Sequence, residues 1–233
     1  PRPGWPTWSP LLADRAGIPA LPAGLDSWPT LADLGAVATA TFREAFYDLA
    51  AGVVDDRDGP GAPVVTSGAL DAAACRWGER PVRLGGRHLA HPRIDPIPRW
   101  AARHPGPKVL VATQTPTVEC WVDTGGTHVP CTPVVTVRGG DVWAVAAALL
   151  APASTAWALT WFAGAARSAD AVKLSAGQVR RVPVPPGVRA AIPAVQAAHR
   201  DPDRRRALLR EAARHTAGPD RHDLVDWWFD RLR

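Results

Sequence analysis

Between Arg76 and His88 the chain reads Arg-Trp-Gly-Glu-Arg-Pro-Val-Arg-Leu-Gly-Gly-Arg-His. Four guanidinium groups, on Arg76, Arg80, Arg83 and Arg87, stand on a backbone punctuated by three glycines. Arginine neutralises phosphate, and its two-pronged donor face also reads O6 and N7 of guanine. Glycine lets such a segment come close to its partner. The chemistry suits a polyanion, with duplex DNA the first candidate. Trp77, in the same stretch, has a flat face that could wedge between or stack on bases, although packing is an equally ordinary role for it.

Further along, Gln114 carries the donor–acceptor pair that matches adenine, or it serves only to satisfy a sheet edge. Lys173 and Ser175 stand at an expected helix start, a place suited to phosphate. Arg180 and Arg181 follow and could grip a nucleic-acid backbone. Lys108 opens a strand and reads equally well as an exposed strand end. Arg204, Arg205 and Arg206, near Asp201 and Asp203, read as a solvated face.

The charge layout supports this direction. The net charge is +5, but residues 76–108 hold eight basic side chains against two acids, and residues 180–214 hold nine against three. Residues 1–75 are net acidic, with four arginines against nine acids. Arginine outnumbers lysine twenty-five to two, as GC-rich coding would favour. Coding bias does not explain why acids are scarce in two particular segments. Clustered charge of one sign is what a polyanion requires.

Catalytic signatures are missing from the sequence. It has no glycine-rich phosphate loop, no His-Glu-x-x-His, no nucleophile elbow and no paired-cysteine zinc pattern. His88 and His91 lack a third ligand at matching spacing. Asp55, Asp56 and Asp58 lack the ligand alternation of a calcium loop. Asp95-Pro-Ile-Pro98 lacks the aromatic that stacks on a flipped base, and reads as a turn. The chain by itself is expected to be non-catalytic and to bind no metal.

The elements that must position these residues are short, as 25 prolines and 20 glycines favour. Helical spacing predicts a helix from Thr41 to Val54, then an Asp/Gly loop and a strand-like Val64 to Leu70. The arginine segment reads as a short hairpin or irregular loop, and Ile97 to His104 as one or two helical turns. Three strands are expected at Lys108–Thr115, Val118–Asp123 and Thr132–Arg138, with Thr124-Gly-Gly126 as a hairpin-type turn. Asp141 is placed to cap the first of two almost wholly apolar helices, Val142–Leu150 and Ser154–Ala166. Ser175 caps a short helix. Ala190–Ala198, Asp203–Thr216 and Arg221–Leu232 form a helical tail. Residues before 30 hold Trp5, Trp8, Trp28 and a short helical piece around Ser9 to Arg15.

The expected fold is therefore α+β: a small mixed or antiparallel sheet backed by apolar helices, with a helical C-terminal tail. Residues 1–29 read as an arm or linker, 30–186 as the domain and 187–233 as the tail. No apolar run reaches the roughly 18 residues that span a membrane. With no signal peptide evident, and three cysteines without metal spacing, a cytoplasmic location follows. A chain that opens Pro-Arg-Pro-Gly and contains no methionine is expected to be part of a longer polypeptide.

Several stretches occur in an order that resembles the target-recognition domains of bacterial N6-adenine DNA methyltransferases, as found in restriction–modification and phage-defence systems. They are Thr30-Leu-Ala-Asp-Leu-Gly-Ala-Val37, Val65-Thr-Ser-Gly-Ala-Leu-Asp71, Lys108 to Thr115, the apolar block Val142 to Ala166, and Lys173-Leu-Ser175 with Val182-Pro-Val-Pro185. The similarity is to C-terminal regions of actinobacterial-type enzymes, with the TaqI-like and type I or IIG specificity domains as relatives. It covers roughly residues 28–200. One departure is that Ala38 to Phe42 stands where such domains often have Gly-x-x-Thr-Gly. The resemblance implies a DNA-reading α+β domain, attached to or partnered by a methyltransferase domain that binds S-adenosylmethionine. A competing expectation is an assembly domain of a multi-subunit defence complex, docking through Trp227, Trp228 and Phe229 and through the tryptophan-rich N-terminal arm.

Overall fold

The computed structural model of the protein describes residues 13–40, 43–102, 105–162, 166 and 171–232. The strands among them are β1 (Val37–Ala40), β2 (Val53–Asp55), β3 (Ala62–Val65), β4 (Leu70–Asp71), β5 (Ala74–Cys75), β6 (Val82–Leu84), β7 (Arg87–Leu89), β8 (Pro92–Ile94), β9 (Lys108–Val111), β10 (Cys120–Asp123), β11 (Val129–Pro130) and β12 (Val135–Arg138). The helices are α1 (Arg43–Gly52), α2 (Arg99–Ala102), α3 (Val142–Leu149), α4 (Pro152–Phe162), α5 (Ala176–Val179), α6 (Val188–Arg200), α7 (Arg205–Ala217) and α8 (His222–Arg231). The fold is α+β. Of the expected N-terminal helical piece, Ala13 to Arg15 is helical, and the remainder, with Trp5 and Trp8, lies outside the described residues.

Two four-stranded sheets face different cores. The first has the order β1-β12-β9-β10, antiparallel throughout. The second has the order β11-β3-β8-β2, with β11 parallel to β3. All four residues of β9 are buried, so this strand takes the inner position with a partner on each side. As a consequence, the Thr124-Gly-Gly126 turn does not close a hairpin: β10 and β12 flank β9, and the chain after the turn feeds β11 into the second sheet. The strand expected from Val64 to Leu70 is also interrupted, turning through a 3-10 segment at Ser67–Ala69.

Alternation along the first sheet separates two environments. On one face Val109, Val111, Cys120, Val122, Val135 and Val137 meet the helices, in a core that also holds Leu149, Trp157, Leu159, Val195, Leu209, Leu224 and Trp228. On the other face Leu110 joins Val65, Leu70, Val82 and Val134, while the outer part carries Lys108, Thr136 and Arg138. Helix α3 begins on Asp141, whose carboxylate accepts the Trp143 N–H at 2.9 Å. The chain then bends by 62° into α4. Buried polar side chains there are paired: Ser154 Oγ donates to Ala148 O at 2.6 Å, and Thr155 Oγ1 accepts from Val118 N at 3.0 Å. Among the described residues no single helix is long and apolar enough to cross a membrane.

Helices α6, α7 and α8 share this core instead of projecting from it. Ala191, Val195, Leu208, Ala213, Leu224 and Trp228 are all buried in it. The start of α6 presses on the end of α7, since a Cβ on Gly187 would stand 1.8 Å from the carbonyl oxygen of His215. Residues 29–32 run against 180–184, with Leu31 N–H donating to Val182 O and Val184 N–H to Pro29 O.

Because Trp228 is fully enclosed, Trp228→Ala should destabilise the protein by about 3–5 kcal/mol in urea unfolding. A loss below about 1 kcal/mol would mean that α8 is peripheral to the core.

Candidate nucleic-acid interface

Asp71, at the tip of the β4–β5 hairpin, organises the basic segment. Its largely buried carboxylate accepts Arg76 Nε at 3.1 Å and two parallel bonds from Arg80, Nη1 and Nη2, each at 3.0 Å. Arg76 also pairs with Glu79 at 2.9 Å, and Arg80 Nη1 reaches Gly68 O at 3.0 Å. Burial alone would raise the Asp71 carboxyl, but the hydrogen bonds and charges of Arg80 and Arg76 outweigh it and hold it below the usual range. Both guanidinium groups are thereby fixed in direction, and their charge is largely balanced at the spot. Arg205, at the start of α7, is weakened as a cation by burial and, beyond that, by the charge of Arg76. Arg205 is expected on a solvated face, but it is half-buried and its Nε donates to Ala198 O at 3.1 Å. Its position shows only once the tail folds back.

The β6–β7 hairpin follows, turned by Gly85 and Gly86 with φ of 56° and 79°, the left-handed values that a two-residue turn of this kind demands. Cross-strand partners share a face. Arg83 opposes His88, and both are exposed. Arg87 opposes buried Leu84 and turns towards α1, where Nη2 donates to Ala50 O at 2.7 Å and Val53 O at 2.9 Å. A cation on the last carbonyls of a helix is a stabilising cap. Arg83 and Arg87 therefore serve opposite sides of the hairpin, and only Arg83 is free for a partner.

Trp77 packs within the fold. Its Nε1–H donates to Pro92 O at 3.0 Å, the Arg93 guanidinium lies 4.9 Å over its ring, and His91 meets it edge-on at 5.5 Å. The indole is half-buried, with its N–H and its ring both engaged by neighbours.

The remaining candidates fall into a groove and two neighbouring segments. Thr66, Ser67, Gly68, Arg80 and Arg83 line a groove of about 410 Å3. Ser67 Oγ accepts the N–H of Thr113 at 3.1 Å, which brings Gln114 beside the groove. Gln114 has a left-handed backbone, φ 67°, and donates its N–H to Val172 O at 2.7 Å. Thr115 and Val172 form the bridge and are buried, while their neighbours Gln114 and Lys173 are half-buried and exposed. Ser175 then caps α5 in a reciprocal pair with Gln178, so its hydroxyl is committed to the helix. Arg180 and Arg181 are exposed at the end of that helix. The structure thus places Arg80 and Arg83 on one groove, and Gln114 beside Lys173 across a backbone bridge. It assigns Arg76, Arg87, Trp77 and Ser175 to internal bonds.

Lys108 is not an exposed strand end. Its side chain is 6% accessible, and Nζ contacts Asp123 Oδ2 at 3.0 Å and donates to Gly126 O at 2.8 Å. Asp123 also accepts the N–H of His128 at 2.9 Å, and His128 Nδ1 lies 3.3 Å from its other oxygen. Burial pushes this carboxyl upward, yet the bonds from His128 and the charges of His128 and Lys108 prevail and bring it down to about 2. No protein-family model and no curated protein matches the chain.

The Asp123 cluster has a pH signature. The folded value lies below the ordinary carboxyl value near ~3.9, so its contribution is complete above about pH 5 and is lost as pH falls through about 2. Asp123→Asn should cost about 3–5 kcal/mol at neutral pH by stranding Lys108, and should flatten the acid limb of the stability profile. Urea unfolding across a pH series measures both.

Proposed function

We propose that this chain is the DNA-sequence-recognition part of an N6-adenine DNA methyltransferase of a restriction–modification or phage-defence system. Methyl transfer and S-adenosylmethionine then belong to an upstream or partner domain, and the chain works in the cytoplasm on double-stranded DNA. The observation that carries this reading is the groove that Arg80 and Arg83 line with Ser67, whose hydroxyl holds the backbone just before Gln114, together with the exposed cations Lys173, Arg180 and Arg181. The exposed cations Arg83 and Lys173 would serve phosphate, and the fixed backbone at Gln114 presents an amide of the type that pairs with adenine. Its scaffold is held by main-chain bonds, so little ordering would accompany binding. The assembly reading draws less support, because Trp228 and Phe229 are buried in the core and offer no docking surface.

Fluorescence anisotropy with a duplex library tests the proposal. Affinity should fall with salt by about 0.9 log units per log unit of salt for each phosphate neutralised. Lys173→Ala should weaken binding to all sequences alike and make that slope shallower by about one contact. Arg83→Ala should cost about 1–3 kcal/mol in binding and relax site choice if it reads a base. Arg87→Ala should lower unfolding stability by about 1–3 kcal/mol through the two lost carbonyl bonds. Absence of duplex binding by the full chain at low salt would refute the proposal.

A further inference from the structure

A larger cavity, of about 760 Å3, opens on the polar face of the first sheet, away from the Arg83 groove. Thr39, Thr136 and Arg138 form its sheet wall, and Ile97, Trp100 and Ala101 form the wall opposite. The volume is that of a site for a small organic molecule. The second wall is apolar and open to solvent: Ile97 is 45% exposed, and Trp100 is half-buried, packed against a core cluster that includes Leu49, Val53, Val64 and Ile94.

Arg138 supplies the charge. It is half-buried, and among the described residues its one hydrogen bond is a 3.5 Å contact to Thr39 Oγ1. No carboxylate pairs with it there, whereas Arg76, Arg80, Arg210 and Arg221 each have one. Lys108 and His128 also line the cavity, but both are turned to Asp123. Burial acts against the Arg138 charge without a compensating partner. A guanidinium in this condition gains more from an anion than a solvated one does, and a carboxylate or sulfonate fits its two-pronged donor face.

We propose that this cleft binds a small monoanion with an apolar body, an organic carboxylate or sulfonate whose head pairs with Arg138 and whose body lies against Trp100 and Ile97. The site is separate from the proposed DNA-reading groove, and it stands or falls independently of that assignment.

Two fluorescent probes of similar shape test it on the full chain: 8-anilinonaphthalene-1-sulfonate, an anion, and N-phenyl-1-naphthylamine, which is uncharged. The anion should bind saturably and at least about tenfold more tightly than the neutral probe. Arg138→Gln should abolish that margin while the neutral probe binds as before, and Arg138→Lys should keep part of it. Ala101→Trp, which fills the apolar half, should weaken both probes. Thermal unfolding midpoints establish that each variant is folded. Equal affinity of the two probes for the unaltered protein would overturn the proposal. So would undiminished sulfonate binding by Arg138→Gln or, should that variant not fold, undiminished binding of both probes by Ala101→Trp.

Discussion

Strand β9 lies between two cores, and the alternation of its side chains determines what each half of the molecule does. Val109 and Val111 turn to the helices, while Lys108 and Leu110 turn to the opposite face. Both faces are covered, so a slip of one residue would bury the Lys108 ammonium among helices and turn Val109 and Val111 to the face that carries Asp123. The register is fixed by the size of that penalty, an uncompensated charge in an apolar core. Everything attached to the sheet inherits the precision: the cleft wall on β12, the turn at Gln114, and the bridge that sets Lys173 beside it.

Two buried carboxylates extend this control to the cations. Asp71 holds Arg76 and Arg80, and Asp123 holds Lys108 and His128. Each satisfies several donors at once, which is how a carboxylate remains ionised when taken out of water. The two differ in what they leave over. At Asp123 the ammonium and imidazole are turned inward, so the cluster braces β9 to the turn leading into β11. At Asp71 the Arg80 side chain remains 41% accessible along the groove wall, so the same type of bond leaves a charge-balanced guanidinium at the surface.

The sequence was informative where structure is local. Asp141 and Ser175 cap the helices their positions suggest, and the Gly-Gly pair turns the β6–β7 hairpin, because each depends on bonds within a few residues. Strand order was not legible, since the Thr124-Gly-Gly126 turn is compatible with a hairpin and only the burial of β9 on both faces places β10 and β12 apart. Nor were the fates of the arginines. Arg87 binds carbonyls 37 and 34 residues away, and Arg93 binds carbonyls 37, 32 and 36 residues away. Side-chain type identifies the chemistry available. Which guanidinium is consumed by the fold depends on contacts remote in the chain.

That consumption separates the cations by function more sharply than charge counting does. Arg87 and Arg93 stabilise carbonyls, and Arg206 and Arg210 lie over the Phe229 ring at 4.4 and 4.5 Å. They raise the net charge without presenting it to a partner in a fixed direction. Arg83 and Lys173 are solvated, so they exchange water for phosphate at little cost and would be sensitive to salt. Arg138 has already lost part of its water, so an anion reaching it would be bound through shorter-range, less screened attraction. Salt dependence therefore distinguishes the two surfaces physically: a steep response belongs to the exposed cations, and a shallow one to the cleft.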